Sequence, residues 1–274
     1  MREIVDCHVH TAACGHAVGC AAEYVAAARA ADISTLVFTE HLPLPAELDP
    51  HRHLALSPDD LERYAEEILT LSTATADFTV VCGAEVDWLP GHEEFSLAAI
   101  ARAQSVGVTV LMGSVHFLDT WAFDDPHDLA RWDDVDVDEV YDAYFTRWCD
   151  AVASGRFDVM AHPDLPKKFG HRPMADPTPL YRRAAAAAAA AGVAIEVSTA
   201  GLRKPVGELY PAPALLAAFA EAGVRATAGS DAHAPDEVGY RIDAAYDAML
   251  AVGYSTVVCP DGGGSWRQIS ITRT

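Results

Sequence analysis

Seven of the twelve histidines in this 274-residue chain stand at, or just past, the ends of short apolar runs. His8 and His10 close the run Ile4–Val9 in "DCHVH", and His16 follows in the next loop. His41 ends "TEH", His116 lies in "GSVHF", His162 in "AHPDL" and His233 in "GSDAH". Carboxylates keep them company: Glu40, Glu85 and Asp87 in "GAEVDW", Asp164, and Asp231. Glu196 and Ser198 occupy the matching place in "IEVSTAG". A single histidine after a strand is ordinary; their concentration at one kind of position is what points to a site. Imidazoles and carboxylates without cysteine suit Zn, Fe or Mn rather than Ca or Mg alone. Side chains two apart in a strand share a face about 6.6 Å apart, so His8 and His10 can converge on one ion. Asp231 and His233 repeat that spacing. Asp6 lies on the same face one step lower and is expected to orient an imidazole from behind. The ligands outnumber what one ion can use, which predicts a polynuclear centre.

The remaining histidines fall elsewhere. His51 and His53 in "LDPHRHLALSP", His92 after a Pro-Gly turn and His127 in "DDPHD" read as solvated loop residues. His171, in the loop beyond His162, is less easily set aside.

Something must hold these loops in register. Apolar, β-branched runs recur seven times: 4–9, 35–39, 78–84, 108–113, 157–161, 193–197 and 224–229. Helix-patterned stretches alternate with them at 21–31, 58–75, 137–154, 179–191, 211–222 and 236–251. Strand alternating with helix predicts a parallel sheet. Seven units without a second half predict one distorted TIM-like (β/α)7 barrel over residues 1–274, with the metal site at the C-terminal strand ends. A short strand at 256–259 is expected after the last helix.

Bulk properties narrow the function. The net charge of −21 opposes nucleic acid and anionic membranes, so an anionic substrate needs a local positive centre. The six cysteines form no C-x-x-C pair, and Cys7 and Cys82 sit inside apolar runs as small hydrophobes. The N-terminus lacks a signal-peptide pattern, and the eight alanines 184–191 are too few to cross a bilayer. A reducing cytoplasm is the expected location. Oligomeric state is not legible.

The ordered set "DCHVH", "TEH", "GAEVDW", "GSVHF", "AHPDL", "AGLRK" and "GSDAH" resembles the polymerase-and-histidinol-phosphatase (PHP) superfamily, and within it the histidinol-phosphate phosphatase family. The likeness runs from about Val5 to His233. It implies a distorted (β/α)7 barrel with three divalent transition metal ions. One would be held by His8, His10, Glu85 and Asp231. A second would share Glu85 and add His116 and His162, and a third would take His16, His41 and His233. It further implies hydrolysis of a small anionic phosphomonoester, L-histidinol phosphate, by a hydroxide held between metals. Glu85, Asp231, His233 and Arg203 would be catalytic, with Arg203 of "AGLRK" also gripping phosphate through its planar fork and Lys168 of "PKKFG" a weaker substrate contact. Ser198 stands where the family often has asparagine. Two alternatives remain at this level: another small phosphoester, such as a nucleoside bisphosphate or short oligonucleotide, and a metal-binding regulatory domain without catalysis.

Overall fold

Residues 3–272 are described by the computed structural model of the chain. In order the elements are β1 (Ile4–Val9), α1 (Ala21–Ala30), β2 (Ile33–His41), α2 (Leu61–Ala74), β3 (Thr79–Asp87), α3 (Glu93–Ser105) and β4 (Val110–Ser114). A small hairpin of β5 (Phe117–Leu118) and β6 (Trp121–Ala122) precedes α4 (Val137–Ala153) and β7 (Val159–Met160). Then come α5 (Thr178–Ala191), β8 (Ala194–Ser198), α6 (Pro213–Glu221), β9 (Ala226–Gly229), α7 (Ile242–Ala251), and a closing hairpin of β10 (Thr256–Pro260) and β11 (Trp266–Ser270).

Seven strands form one parallel sheet in the order β1-β2-β3-β4-β7-β8-β9. The sheet curls until its edges meet. The His10 amide donates to the Ala232 carbonyl at 2.9 Å, and Val9 pairs in parallel with Ala232 just beyond β9. The result is the nearly closed seven-stranded barrel that the alternation of patterns predicts.

The helices form for local reasons and bury one side. In α2, Leu61, Tyr64, Ala65 and Ile68 repeat at helical spacing and all face the core. In α4 the Asp136 carboxylate accepts from the Asp138 amide at the first turn, and Tyr141, Tyr144, Phe145 and Trp148 form the buried stripe. The alanine run of α5 ends at Gly192, whose φ of 69° is a left-handed cap that glycine adopts without a Cβ clash.

Three features depart from the pattern read in the sequence. The stretch 236–251 is not one helix: Pro235–Glu237 makes a separate 3-10 turn, and Arg241 at φ 51° breaks the chain before α7. Helix α3 was not expected, because only Ser96, Ile100 and Ala103 face inward, too thin an apolar stripe to register as a pattern. Of the two hairpins the sequence predicts only the strand at 256–259; β5 and β6 are two residues each, and β11 takes its order from pairing with β10.

The hairpin β10–β11 closes the N-terminal end of the barrel. Val258 packs with Met112, Val159 and Ala194, and Trp266 lies against them. At the opposite end, every strand delivers polar side chains.

Candidate metal centre

Parallel strands in register bring residues of distant sequence position level with one another. His41 pairs with Glu85, Asp87 with Ser114, and Ser198 with Gly229. Glu85 is therefore central, and its two oxygens face different partners. Oε2 lies 3.2 Å from His8 Nε2, 3.4 Å from His10 Nε2 and 3.3 Å from His41 Nδ1. Oε1 lies 3.1 Å from His162 Nε2 and 3.7 Å from His116 Nε2. Asp231 Oδ1 stands 3.6 Å from His8 Nε2 and 3.4 Å from both His10 Nε2 and His233 Nδ1. Three pairs of imidazoles meet nitrogen to nitrogen through Nε2: His8 with His10 at 2.9 Å, His116 with His162 at 3.3 Å, and His16 with His233 at 3.1 Å. All nine residues expected to hold metal thus form one connected cluster.

The outward nitrogens decide what lies inward. His8 Nδ1 faces Glu196 Oε1 at 2.9 Å, His10 Nδ1 faces Glu40 Oε1 at 3.4 Å, and His116 Nδ1 faces Asp87 Oδ1 at 3.0 Å. His16 and His233 turn Nδ1 to the carbonyls of His53 and Asp231, at 3.2 and 3.1 Å. An acceptor behind Nδ1 keeps the proton there and leaves the Nε2 lone pair pointing inward. Lone pairs and carboxylate oxygens gathered at 2.9–3.7 Å suit cations between them. Ligands about 2.0–2.1 Å from a tetrahedral Zn would stand roughly 3.3 Å apart, which the observed separations bracket. Three overlapping groups meet this demand: His8, His10 and Glu85; His41, Glu85 and His116; His10, His41 and His233. The donor set fits metal ions.

Electrostatics agree. Burial pushes the Glu85 and Asp231 carboxyls up, but the surrounding imidazoles outweigh it and hold both well below their usual range. Burial works against charge on His10, yet Asp231 and Glu40 raise it to about 9; Asp87 and Asp124 likewise take His116 to about 10. Burial and the neighbouring His10 push His233 down to about 3, and burial also lowers His16 and His41. Without metal, then, protonated and neutral imidazoles sit side by side around ionised carboxylates.

The backbone is strained at the same place. His162, Asp164 and Asp231 have φ of 22°, 66° and 51°, values that non-glycine residues adopt only when their surroundings impose them. Asp231 is fastened from outside the cluster: Arg203 Nη2 donates to the Ser230 and Asp231 carbonyls, and Arg203 Nε lies 3.1 Å from Glu237 Oε1. Arg203 Nη1 is buried and makes no hydrogen bond among the described residues.

Some positions differ from expectation. Asp6 does not orient an imidazole. Its carboxylate accepts from the Ser230 amide and hydroxyl and from the Gly239 amide, so it ties β1 to the loop after β9. Lys168 Nζ is engaged by the Asp124 carbonyl at 2.7 Å and carboxylate at 2.9 Å. His171 stacks flat on Trp132 at 4.1 Å, away from the cluster. Sequence reasoning did not single out Glu237, whose carboxylate accepts from the His233 amide, or Asp124. Neither follows one of the seven β-branched runs, the trace that marks the other site residues. Glu40, Asp87 and Glu196 carry no assigned task in the sequence; their positions on strands beside ligands are the trace of the contacts they make behind the imidazoles.

Comparison with known proteins points the same way. A family model described as PHP domain matches residues 6–200. The chain is 40% identical over 259 residues to a Deinococcus radiodurans protein named "Probable histidinol-phosphatase", covering 94% of this chain and 96% of that one. It is 27% identical to the histidinol-phosphatase of Bacillus subtilis over 275 residues, covering 89% and 97%. The crystal structure of histidinol phosphate phosphatase from Lactococcus lactis, complexed with zinc, L-histidinol and phosphate, superposes with a TM-score of 0.79 at 18% identity, over 96% of this chain and 98% of that one.

Proposed function

The chain belongs to the PHP domain family, and from that premise we propose that it is a metal-dependent phosphomonoesterase that hydrolyses L-histidinol phosphate to L-histidinol and phosphate, a step of histidine biosynthesis. The observation that carries the reading is Glu85, whose two oxygens face separate sets of inward-pointing imidazoles. The 40% identity to the Deinococcus protein along nearly the whole chain supports the choice of substrate.

In this reading the cluster would hold three divalent ions, Zn, Fe or Mn. His8, His10, Glu85 and Asp231 would hold one, Glu85 with His116 and His162 a second, and His16, His41 and His233 a third. Such ions neutralise developing charge on phosphoryl oxygens and make water acidic enough to serve as a nucleophile near neutral pH. The rest falls to side chains of this chain. Glu85 spaces the two sets of imidazoles. Asp231 and His233 present their ligand atoms from a strained turn that Arg203 and Glu237 fasten. The free Nη1 donor of Arg203 is suited to a phosphoryl oxygen, whereas the charge of Lys168 is offset by Asp124. A centre of net positive charge is what a phosphomonoester requires inside a protein of net charge −21.

No helix among the described residues is long and apolar enough to cross a membrane. The six cysteines are free thiols, in keeping with a reducing cytoplasm.

The test is a panel of phosphoesters at matched concentration, run on protein loaded in turn with Zn, Mn and Fe. We expect kcat/KM for L-histidinol phosphate to exceed that for nucleoside bisphosphates and short oligonucleotides by at least ~100-fold, about 2.7 kcal/mol of transition-state discrimination. A bisphosphate or oligonucleotide that leads the panel would reassign the substrate. Metal-loaded protein inert toward every ester would remove the enzyme reading altogether.

A further inference from the structure

We propose that Glu196 is a positioning residue that fixes two metal-holding histidines at once, one through each carboxylate oxygen. Oε1 accepts from His8 Nδ1 at 2.9 Å, and Oε2 accepts from the backbone amide of His162 at 2.8 Å. His8 belongs to β1 and His162 follows β7, while Glu196 itself stands on β8. One fully buried carboxylate therefore couples two ligands from separate parts of the barrel.

The three carboxylates behind the imidazoles are not equivalent. Asp87 receives both of its bonds on a single oxygen: Oδ1 accepts from the His116 amide at 3.1 Å and from His116 Nδ1 at 3.0 Å. Glu40 divides its oxygens between His10, at a long 3.4 Å, and the amide and hydroxyl of Thr11. Glu196 alone of the three divides them between two metal-holding residues. Its position is also enforced from behind. A Cβ built on Gly229 would stand 2.2 Å from Glu196 Oε1 and 2.6 Å from His8 Cβ, so β9 approaches this carboxylate as closely as glycine permits.

The count of acceptors makes the proposal specific. A glutamine at 196 has one oxygen and one amide nitrogen. If the oxygen faces His8, the amide nitrogen opposes the His162 N–H donor to donor, and the backbone that holds φ at 22° loses its anchor. If the nitrogen faces His8, then Nδ1 must accept, the ring proton moves to Nε2, and the lone pair that faces Glu85 and His10 is lost. Neither orientation serves both histidines. An asparagine at 87 has no such conflict, because its one oxygen can receive both bonds.

The experiment compares the parent chain, Glu196→Gln and Asp87→Asn, each loaded with Zn²⁺ and titrated with a competing chelator while ions per chain are counted. We expect the Zn²⁺ affinity of Glu196→Gln to fall 10- to 100-fold, the scale found when an outer partner of a metal-bound histidine is removed, and that of Asp87→Asn to fall several-fold less. A second readout follows the tautomer. In Zn-loaded protein with ¹⁵N-labelled histidine, the parent should show a downfield His8 Nδ1–H proton that Glu196→Gln lacks, a change that loss of packing alone does not produce. Parental affinity in Glu196→Gln, or equal losses in both variants, would overturn the proposal. Should Glu196→Gln fail to fold, the parent spectrum still decides: a loaded His8 carrying its proton on Nε2 refutes it. The inference rests on these imidazoles holding metal. A parent chain that takes up no Zn²⁺ would defeat that broader reading, whereas a parent that binds and a variant that binds equally would defeat this one alone.

Discussion

The two ends of the barrel are built from the same seven strands and serve opposite purposes. At the N-terminal end the hairpin β10–β11 lays Val258 and Trp266 over Met112, Val159 and Ala194, an apolar plug. At the C-terminal end the same strands present His8, His10, His41, Glu85 and the loop residues that follow them, all crowded at 2.9–3.7 Å. The plug is satisfied as it stands. The cluster gathers converging lone pairs and carboxylates that call for positive charge, carried by protons on His10 and His116 or by bound cations. One fold thus separates a region that contributes stability from a region that spends it on strained turns and like groups held close.

Substitutions can break that division. The largest effect is expected at Glu85. Glu85→Gln keeps size and removes the charge between the two sets of imidazoles, so occupancy of two ions should fall and kcat drop by at least ~100-fold. Metal per chain and kcat, measured together, check it; full occupancy with normal turnover would show that Glu85 is not the shared ligand.

At the other end, Ile269→Ala removes a buried side chain from β11. Truncations of this kind cost about 2–5 kcal/mol. Denaturant unfolding should show that loss, while kcat and metal content at 25 °C stay at parental values. If turnover falls as well, the ends are coupled and the division fails. A smaller effect is expected at Arg203. Arg203→Ala removes a donor to two carbonyls and the free Nη1, so KM for the phosphomonoester should rise about tenfold, with kcat somewhat lower and metal retained. Unchanged kinetics would make Arg203 a fastener of the Asp231 turn and nothing more.

The division also explains what could be read from sequence. Chemistry at strand ends leaves a linear trace, because ligand and apolar run are neighbours in the chain: His8, His41, His116 and His162 were visible for that reason. The barrel was visible because strand and helix periods alternate. What joins elements across space leaves no such trace. Asp6 shares a strand face with His8, yet its carboxylate was claimed by Ser230 and Gly239, more than 220 positions away. The sequence offers Lys168 as a weaker substrate contact, and Asp124 engages it from another loop. Helix α3 lacks a strong stripe, β5 and β6 are two residues each, and β11 is defined by its pairing with β10. Which oxygen of Glu196 meets which histidine is a matter of ångströms and belongs to the folded state alone.

The finest test of the comparison is pH, because the metal-free and metal-loaded forms should respond in opposite directions above neutrality. In the stripped protein His10 titrates at about 9 and His116 at about 10, both above the ordinary histidine value of about 6.5. A raised pKa in the folded state means that the stability these protons contribute is complete below about pH 6.5 and is lost as pH climbs through 9 and 10. His233, lowered to about 3, contributes stability that is already complete above pH 6.5, so it adds no slope in this window. The stripped protein should therefore lose Tm steadily from pH 6.5 to 9. In the loaded protein the ions compete with those same protons, so affinity grows as they leave, and binding to the native state alone raises Tm by mass action. Its Tm should rise over the lower part of the range, at a fixed excess of Zn²⁺ or Mn²⁺. Melting curves of both forms in one buffer series, each several degrees apart by pH 8.5, would support the assignment. Parallel curves would mean that the imidazoles of the cluster are not where the ions bind.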